Sequence, residues 1–214
     1  MVFITLLIII IFSIAMHELG HLFMALLCRM KVEAFSLGFG RILLKKKIKD
    51  IEFRLSLIPL GGYCKLYGET KKDKDGFLNQ RYSKKFLVLI AGVAVNFIIA
   101  CICYYFNYKD ILFGIKFDLL LYKLAFLKDI QHQIIILTFN DSNIILTQLS
   151  LINLGCAIFN LLPIPSLDGG HIVYLWMEKV WKEKFEIYYA IMNKISFTLL
   201  NLLQIAFIYF YWLK

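Results

Sequence analysis

The feature that most constrains this chain is an apolar run from Val2 to Leu27 with His17-Glu18-Leu19-Gly20-His21 set inside it. As a helix rising about 1.5 Å per residue, a run of this length crosses a hydrocarbon core of about 30 Å. An ionisable side chain at that depth costs at least about 2.5 kcal/mol on insertion scales, so two His and a Glu side by side are hard to explain as packing residues. Positions four apart share a helix face, so His17 and His21 can turn imidazole nitrogens toward one ion. Glu18, one residue on, can reach a water beside that ion. This is the H-E-x-x-H zinc pattern, and it points to metal-assisted hydrolysis. A polar cluster that merely packs helices is the bland alternative.

Composition describes the surroundings of that cluster. The chain is 60% hydrophobic and 16% aromatic, with mean hydropathy +0.71, which excludes an ordinary soluble domain and fits a multi-spanning membrane protein. With 214 residues, mostly in apolar runs, there is little room for a separate soluble domain, so residues 1–214 read as one core. No basic n-region or small-residue cleavage site accompanies the first segment, and it carries the metal-ligand pattern, so we expect it to be retained rather than removed as a signal peptide. Cys28, Cys64, Cys101, Cys103 and Cys156 form no C-x-x-C pair and read as packing residues, not as a disulfide framework or thiolate zinc site.

Four spans are expected, at residues 2–27, 86–106, 144–162 and 191–212. Between the first two, Val32–Ser36, Arg41–Lys46, Ile51–Leu57 and Tyr63–Leu66 read as short strands punctuated by Gly38, Gly40, Pro59, Gly61 and Gly62. The fold class is therefore an all-α membrane protein with a small membrane-associated β-hairpin sheet at 32–66. Arg29 to Lys85 holds 15 of the 24 Lys and Arg residues. By the positive-inside rule this loop is cytoplasmic and the amino terminus lies outside. Residues 107–143 read as an external loop with an interfacial amphipathic helix, His132 being a surface residue, and 178–184 as a short cytoplasmic segment. The net charge of +9 follows the cytoplasmic loops, which suits anionic membrane lipid and needs no nucleic acid.

The second informative stretch is Asn160-Leu-Leu-Pro163-Ile-Pro165-Ser-Leu-Asp168-Gly-Gly-His171. Pro163 and Pro165 cannot continue a regular helix, and the paired glycines permit close approach. Asp168 is then presented from irregular backbone at the membrane edge, tolerated where it lines a cavity or is buried in protein. With alternating spans, the HELGH segment and Asp168 both lie toward the cytoplasmic side and can meet. Two His, one carboxylate and a water complete a catalytic zinc site; a plain helix cap is the alternative for Asp168. In the second span, Gly92-Val-Ala-Val-Asn96 offers small residues for close packing, and Asn96 needs a partner in hydrocarbon, which suits support of the site.

These pieces together carry a resemblance. HELGH, Phe35 to Gly40, Pro59 to Tyr63, Gly92 to Asn96 and Asn160 to Gly170 resemble, in the same order, the site-2 protease family of intramembrane zinc metalloproteases, closest to the bacterial regulator of sigma-E protease branch. The resemblance implies that His17, His21 and Asp168 bind Zn²⁺ and that Glu18 is the general base. It further implies that Asn160 and the strand edge at Gly61 and Gly62 hold an unwound substrate, with Gly92, Asn96, Pro163 and Pro165 in support. The implied activity is cleavage of transmembrane segments of other membrane proteins, such as an anti-sigma factor or a signal-peptide remnant. A bacterial inner membrane is the implied location.

One departure stands out: branch members usually carry PDZ domains between the second and third core spans, and residues 107–143 are too few for one, so no PDZ-mediated partner is expected. A catalytically silent scaffold that binds transmembrane helices is the competing reading, although it has no need of Glu18. An ion transporter would distribute its ligands between related halves, and no internal symmetry is evident.

Overall fold

A computed structural model of the chain describes residues 2–69, 73–112, 144–181, 191–199 and 202. Its elements are α1 (Val2–Leu27), β1 (Val32–Ile48), β2 (Ile51–Leu66), a 3-10 turn at Phe77–Asn79, α2 (Tyr82–Leu112), α3 (Ile144–Asn160) and α4 (Asp168–Trp181). Residues 191–199 are also helical. The architecture is mostly helical with one antiparallel sheet.

The helices are built for hydrocarbon on one side and for each other on the other. Along α1, Ile9, Ser13, His17, His21 and Ala25 recur every four residues and are buried, while Ile4, Ile8, Phe12, Leu19 and Phe23 are exposed. Such an apolar outer face is costly in water and neutral in lipid. α1 and α2 are each long and apolar enough to cross a membrane, and α3 is a shorter apolar helix. At the α1–α2 crossing, a Cβ on Gly20 would lie 2.8 Å from the Ala91 carbonyl oxygen and 3.0 Å from the Gly92 Cα. The two backbones touch because neither residue carries a side chain there.

Polar contacts fasten α3. The Asn107 amide donates to Thr147 Oγ1 at 2.7 Å, Ser150 Oγ to the Ala100 carbonyl at 3.0 Å, and the Asn153 amide to Ser13 Oγ at 2.9 Å. In an apolar surround such interhelical bonds contribute about 0.6 kcal/mol each on average, so their main effect is to specify which face of α3 turns inward.

α1 closes with Arg29 in the left-handed region (φ 58°), the Arg29 N–H bonding to Leu26 and the Met30 N–H to Ala25. This Schellman-type closure sends the chain straight into the sheet. Leu22, Ala25, Met30, Val32, Phe35, Leu66 and Val88 form the core between the sheet, the end of α1 and the start of α2.

Where the glycine punctuation suggests four short strands, there are two long ones with a sharp irregularity. Gly38 (φ 88°) and Gly40 (φ 82°) sit where the register slips between Leu37 and Ile42. A glycine at positive φ absorbs an extra residue without ending the ladder, so these are bulges and not breaks. Beyond the bend, Ile42–Ile48 pairs with residues Ile51–Ser56, and Ala34–Leu37 lies between Glu52–Leu55 on one side and Gly62–Lys65 on the other. One outer edge, Ile42–Ile48, carries Lys45, Lys46 and Lys47; the other is the Gly62–Leu66 segment beside α1.

Other expectations shift too. The second helix spans Tyr82–Leu112, longer than 86–106, and so takes in the first part of the supposed 107–143 loop. The third ends at Asn160, two residues early, because the chain must turn before Pro163. Asp168 begins a regular helix rather than sitting in irregular backbone, and that helix takes in Glu178 and runs to Trp181. Residues 113–143, including His132, 182–184 of the expected cytoplasmic segment, and 200, 201 and 203–212 of the fourth span lie outside the described residues.

The close crossing at Gly20 makes a paired prediction. Gly20→Ala should destabilise the protein by about 1–3 kcal/mol through overpacking against backbone. Gly155→Ala, where an added Cβ meets nothing within 4 Å, should be neutral or slightly stabilising. Thermal unfolding of both variants in detergent checks the contrast.

Candidate metal centre

His17 and His21 stand one turn apart on the buried face of α1, and α4 brings Asp168 to them. The Asp168 Oδ2 atom lies 3.0 Å from His17 Nε2 and 3.4 Å from His21 Nε2, and the two Nε2 atoms are 3.1 Å apart. One ligand atom from each residue can be chosen so that all three lie within 4.8 Å of one another.

The surroundings decide which of these atoms carry protons. His21 Nδ1 is 2.8 Å from the Val88 carbonyl, which can only accept, so in a neutral imidazole Nδ1 holds the proton and Nε2 is a lone pair. His17 Nδ1 faces the side-chain amide of the fully buried Asn96 at 3.4 Å. For His17 to offer its Nε2 in the same way, Nδ1 must be protonated and the amide oxygen must face it, an orientation an asparagine can take by turning its amide over. Asp168 Oδ2 is buried without a hydrogen-bond donor. In that protonation state, with Asn96 turned over, three lone-pair atoms converge with no hydrogen between them. That arrangement is repulsive unless a cation sits among them, and two imidazoles with one carboxylate are a donor set for zinc with a position left open.

The backbone makes room for this convergence at glycines. A Cβ on Gly92 would lie 2.4 Å from His21 Nε2 and 2.8 Å from His17 Cε1. On the other side, Cβ atoms at Gly169 and Gly170 would come within 2.2 Å of the Leu161 carbonyl and 2.0 Å of the Ile164 carbonyl. The first turn of α4 thus nests on the backbone of the Pro163–Pro165 turn, and this seat aims Asp168. Pro163 and Pro165 lie in that turn.

Glu18 faces the sheet. A Cβ on Gly62 would lie 2.8 Å from Glu18 Cγ and 3.4 Å from its Cδ, so the Glu18 side chain lies along the second strand. Gly62 therefore clears space for Glu18, while the place of a Gly61 side chain is filled by the Phe39 ring. Burial first, then the charges of Glu18 and Glu69, push the Cys64 thiol up to about 12, so it stays a neutral thiol beside the cluster. Asn160 is turned back on α3, its amide donating to the Cys156 carbonyl at 3.1 Å. Sequence reasoning did not find the Val88 carbonyl, since a backbone acceptor leaves no mark in composition; only Gly92, four residues on and uncovering it, hints at its use.

Fold and site together define a helical core of membrane-spanning type built around a His, His, Asp cluster of metal-binding geometry. Residues 5–203 match the family model of Peptidase family M50, and the chain belongs to this zinc-dependent family. Similar proteins include one of Borreliella burgdorferi, 43% identical over 107 residues, covering 44% of this chain and 25% of that protein. One of Helicobacter pylori is 41% identical over 102 residues (44% of this chain, 29% of that protein), and one of Treponema pallidum 55% identical over 53 residues (25% and 12%). All three bear the name "Putative zinc metalloprotease". The matched part of the chain spans less than a third of the length of each.

Gly92→Ala should leave the helices folded and weaken zinc affinity by at least about tenfold, the scale of a lost supporting contact around a metal ligand. Competition against a chelating indicator measures it.

Proposed function

We propose that this chain is the catalytic core of a zinc-dependent endopeptidase that hydrolyses peptide bonds in or near transmembrane segments of other membrane proteins. The observation that carries the reading is the convergence of His17 Nε2, His21 Nε2 and Asp168 Oδ2 at the inner face of an apolar helix, with Glu18 at the adjacent position.

His17, His21 and Asp168 would hold the ion, Val88 and Asn96 orienting the two imidazoles from behind. Zinc bound there supplies Lewis acidity, which brings the pKa of a bound water to about 7 and polarises a carbonyl. Glu18, lying against Gly62, takes a proton from the attacking water and passes it to the departing amine nitrogen. A helical substrate keeps its carbonyls in hydrogen bonds, so the scissile bond must first be unwound. The Gly62–Lys65 edge, next to Glu18 and short of Leu66, whose N–H donates to Glu69 Oε1 at 3.1 Å, is suited to hold such a segment extended by main-chain pairing; the opposite edge, with three consecutive lysines, is blunted against it. Asn160 is a further candidate for holding the substrate backbone.

A four-span, inner-membrane protein with its amino terminus outside fits the basic 29–85 segment, which would face anionic lipid on the cytoplasmic side. Within this core, substrate selection would fall to the spans and the sheet edge. The same core without hydrolysis would be a helix-binding scaffold, and Glu18 separates the two.

In liposomes holding a panel of single-span substrates, Glu18→Gln should lower cleavage at least about 100-fold, the usual scale of general acid–base catalysis, while zinc content stays near one per chain. Chelation should abolish cleavage and added zinc restore it. Cleavage by Glu18→Gln at the original rate would sink the mechanism and favour the scaffold.

A further inference from the structure

Lys85 stands apart from the other basic residues. Among the described residues most of the others are exposed, yet the Lys85 side chain is only 2% exposed. Its Nζ lies 3.5 Å from Glu178 Oε2, 5.2 Å from the centre of the Tyr82 ring and 5.8 Å from that of Phe77. Glu178 Oε2 is itself buried and has no hydrogen-bond donor. A buried ammonium and a carboxylate on a side chain 18% exposed face each other across the contact between α2 and α4. Burying such a pair costs several kcal/mol per ion before attraction is counted, so it is weak evidence of stability and better evidence that a particular register is being specified.

The register in question is that of the helix that carries Asp168. α4 packs on α2, with Asp168 at its first residue and Glu178 ten positions later, about 15 Å along the axis. The partner face of α2 repeats at three- and four-residue spacing: Lys85, Val88, Gly92 and Asn96. Val88 accepts from His21, Gly92 clears both imidazoles and Asn96 faces His17. Lys85 begins the same stripe and reaches the third member of the cluster through its helix. One face of α2 thus acts on all three side chains.

We infer that Lys85 and Glu178 are a positioning pair: their ion pair sets the placement of α4 on α2 so that the Asp168 carboxylate meets His17 and His21. This rests on the metal-site reading and adds two residues to it, neither of which touches the reacting atoms. The aromatic rings of Phe77 and Tyr82 shield the ammonium and favour it by cation–π attraction.

The test is metal affinity, read by Co²⁺ absorption and by zinc competition on the full-length protein in detergent, with helicity and unfolding temperature followed in parallel. Lys85→Met and Glu178→Gln should each weaken binding by about tenfold or more, as removal of an outer support does, and Lys85→Arg should retain the original affinity. In an Asp168→Ala background, Lys85→Met should cause no further loss, because the pair acts only through that carboxylate. If Lys85→Met and Glu178→Gln bind metal as the original does, while Asp168→Ala does not, the positioning role is overturned and the metal site stands. Equal losses of affinity from Lys85→Met with and without Asp168 would also overturn it, since the pair would then act on the whole fold. An original protein that binds neither ion removes the metal-site reading and this inference together.

Discussion

The structure depends on one close contact, the crossing of α1 and α2 at Gly20 and Gly92. Backbone touches backbone there, and only at that separation can the Val88 carbonyl reach His21 Nδ1 and can Asn96 face His17. The same contact therefore joins the helices and orients two donors. Lipid supplies no hydrophobic drive for helix association, so close packing of small residues and a few interhelical hydrogen bonds must do it. The polar contacts of α3 through Thr147, Ser150 and Asn153 follow the same rule. A chain with bulky residues at these crossings could keep its hydropathy and lose its site.

The sheet answers a different constraint. Peptide bonds in helices are sheltered, and the element most able to offer an extended partner is a strand edge. Here one edge carries Lys45, Lys46 and Lys47, with Lys45 paired to Glu52 at 3.0 Å; Arg54 on the same carboxylate helps hold Glu52 well ionised. The other edge, Gly62–Leu66, carries a single lysine and lies against Glu18 at Gly62. The two edges of the sheet thus differ in charge, and the less charged one is next to the His, His, Asp cluster.

Much of this was legible in the residues because it depends on local rules. His17 and His21 on one face, the first apolar helix and the termination of α3 before Pro163 follow from periodicity and from proline's missing N–H. Asp168 could be brought to the histidines by span counting alone, with no side-chain geometry. What was not legible depends on tertiary approach. Gly38 and Gly40 look like strand ends, and only the pairing with Ser56 and Ile58 makes them bulges. Gly61 and Gly62 look like a matched pair, but Phe39 occupies the space at one and Glu18 lies against the other. Lys85 reads as one more interfacial cation until α4 places Glu178 beside it. Asp168 looks like part of a loop because two prolines and two glycines surround it, whereas the glycines serve to seat a helix start.

The most direct measurement is zinc K-edge X-ray absorption on the purified protein. The account predicts a first shell of two imidazole nitrogens and light oxygen donors at about 2.0–2.2 Å, with no sulfur, and loss of one imidazole in each of the His17→Ala and His21→Ala variants. A sulfur shell near 2.3 Å, or a spectrum that neither substitution changes, would place the metal elsewhere and contradict the assignment of His17, His21 and Asp168.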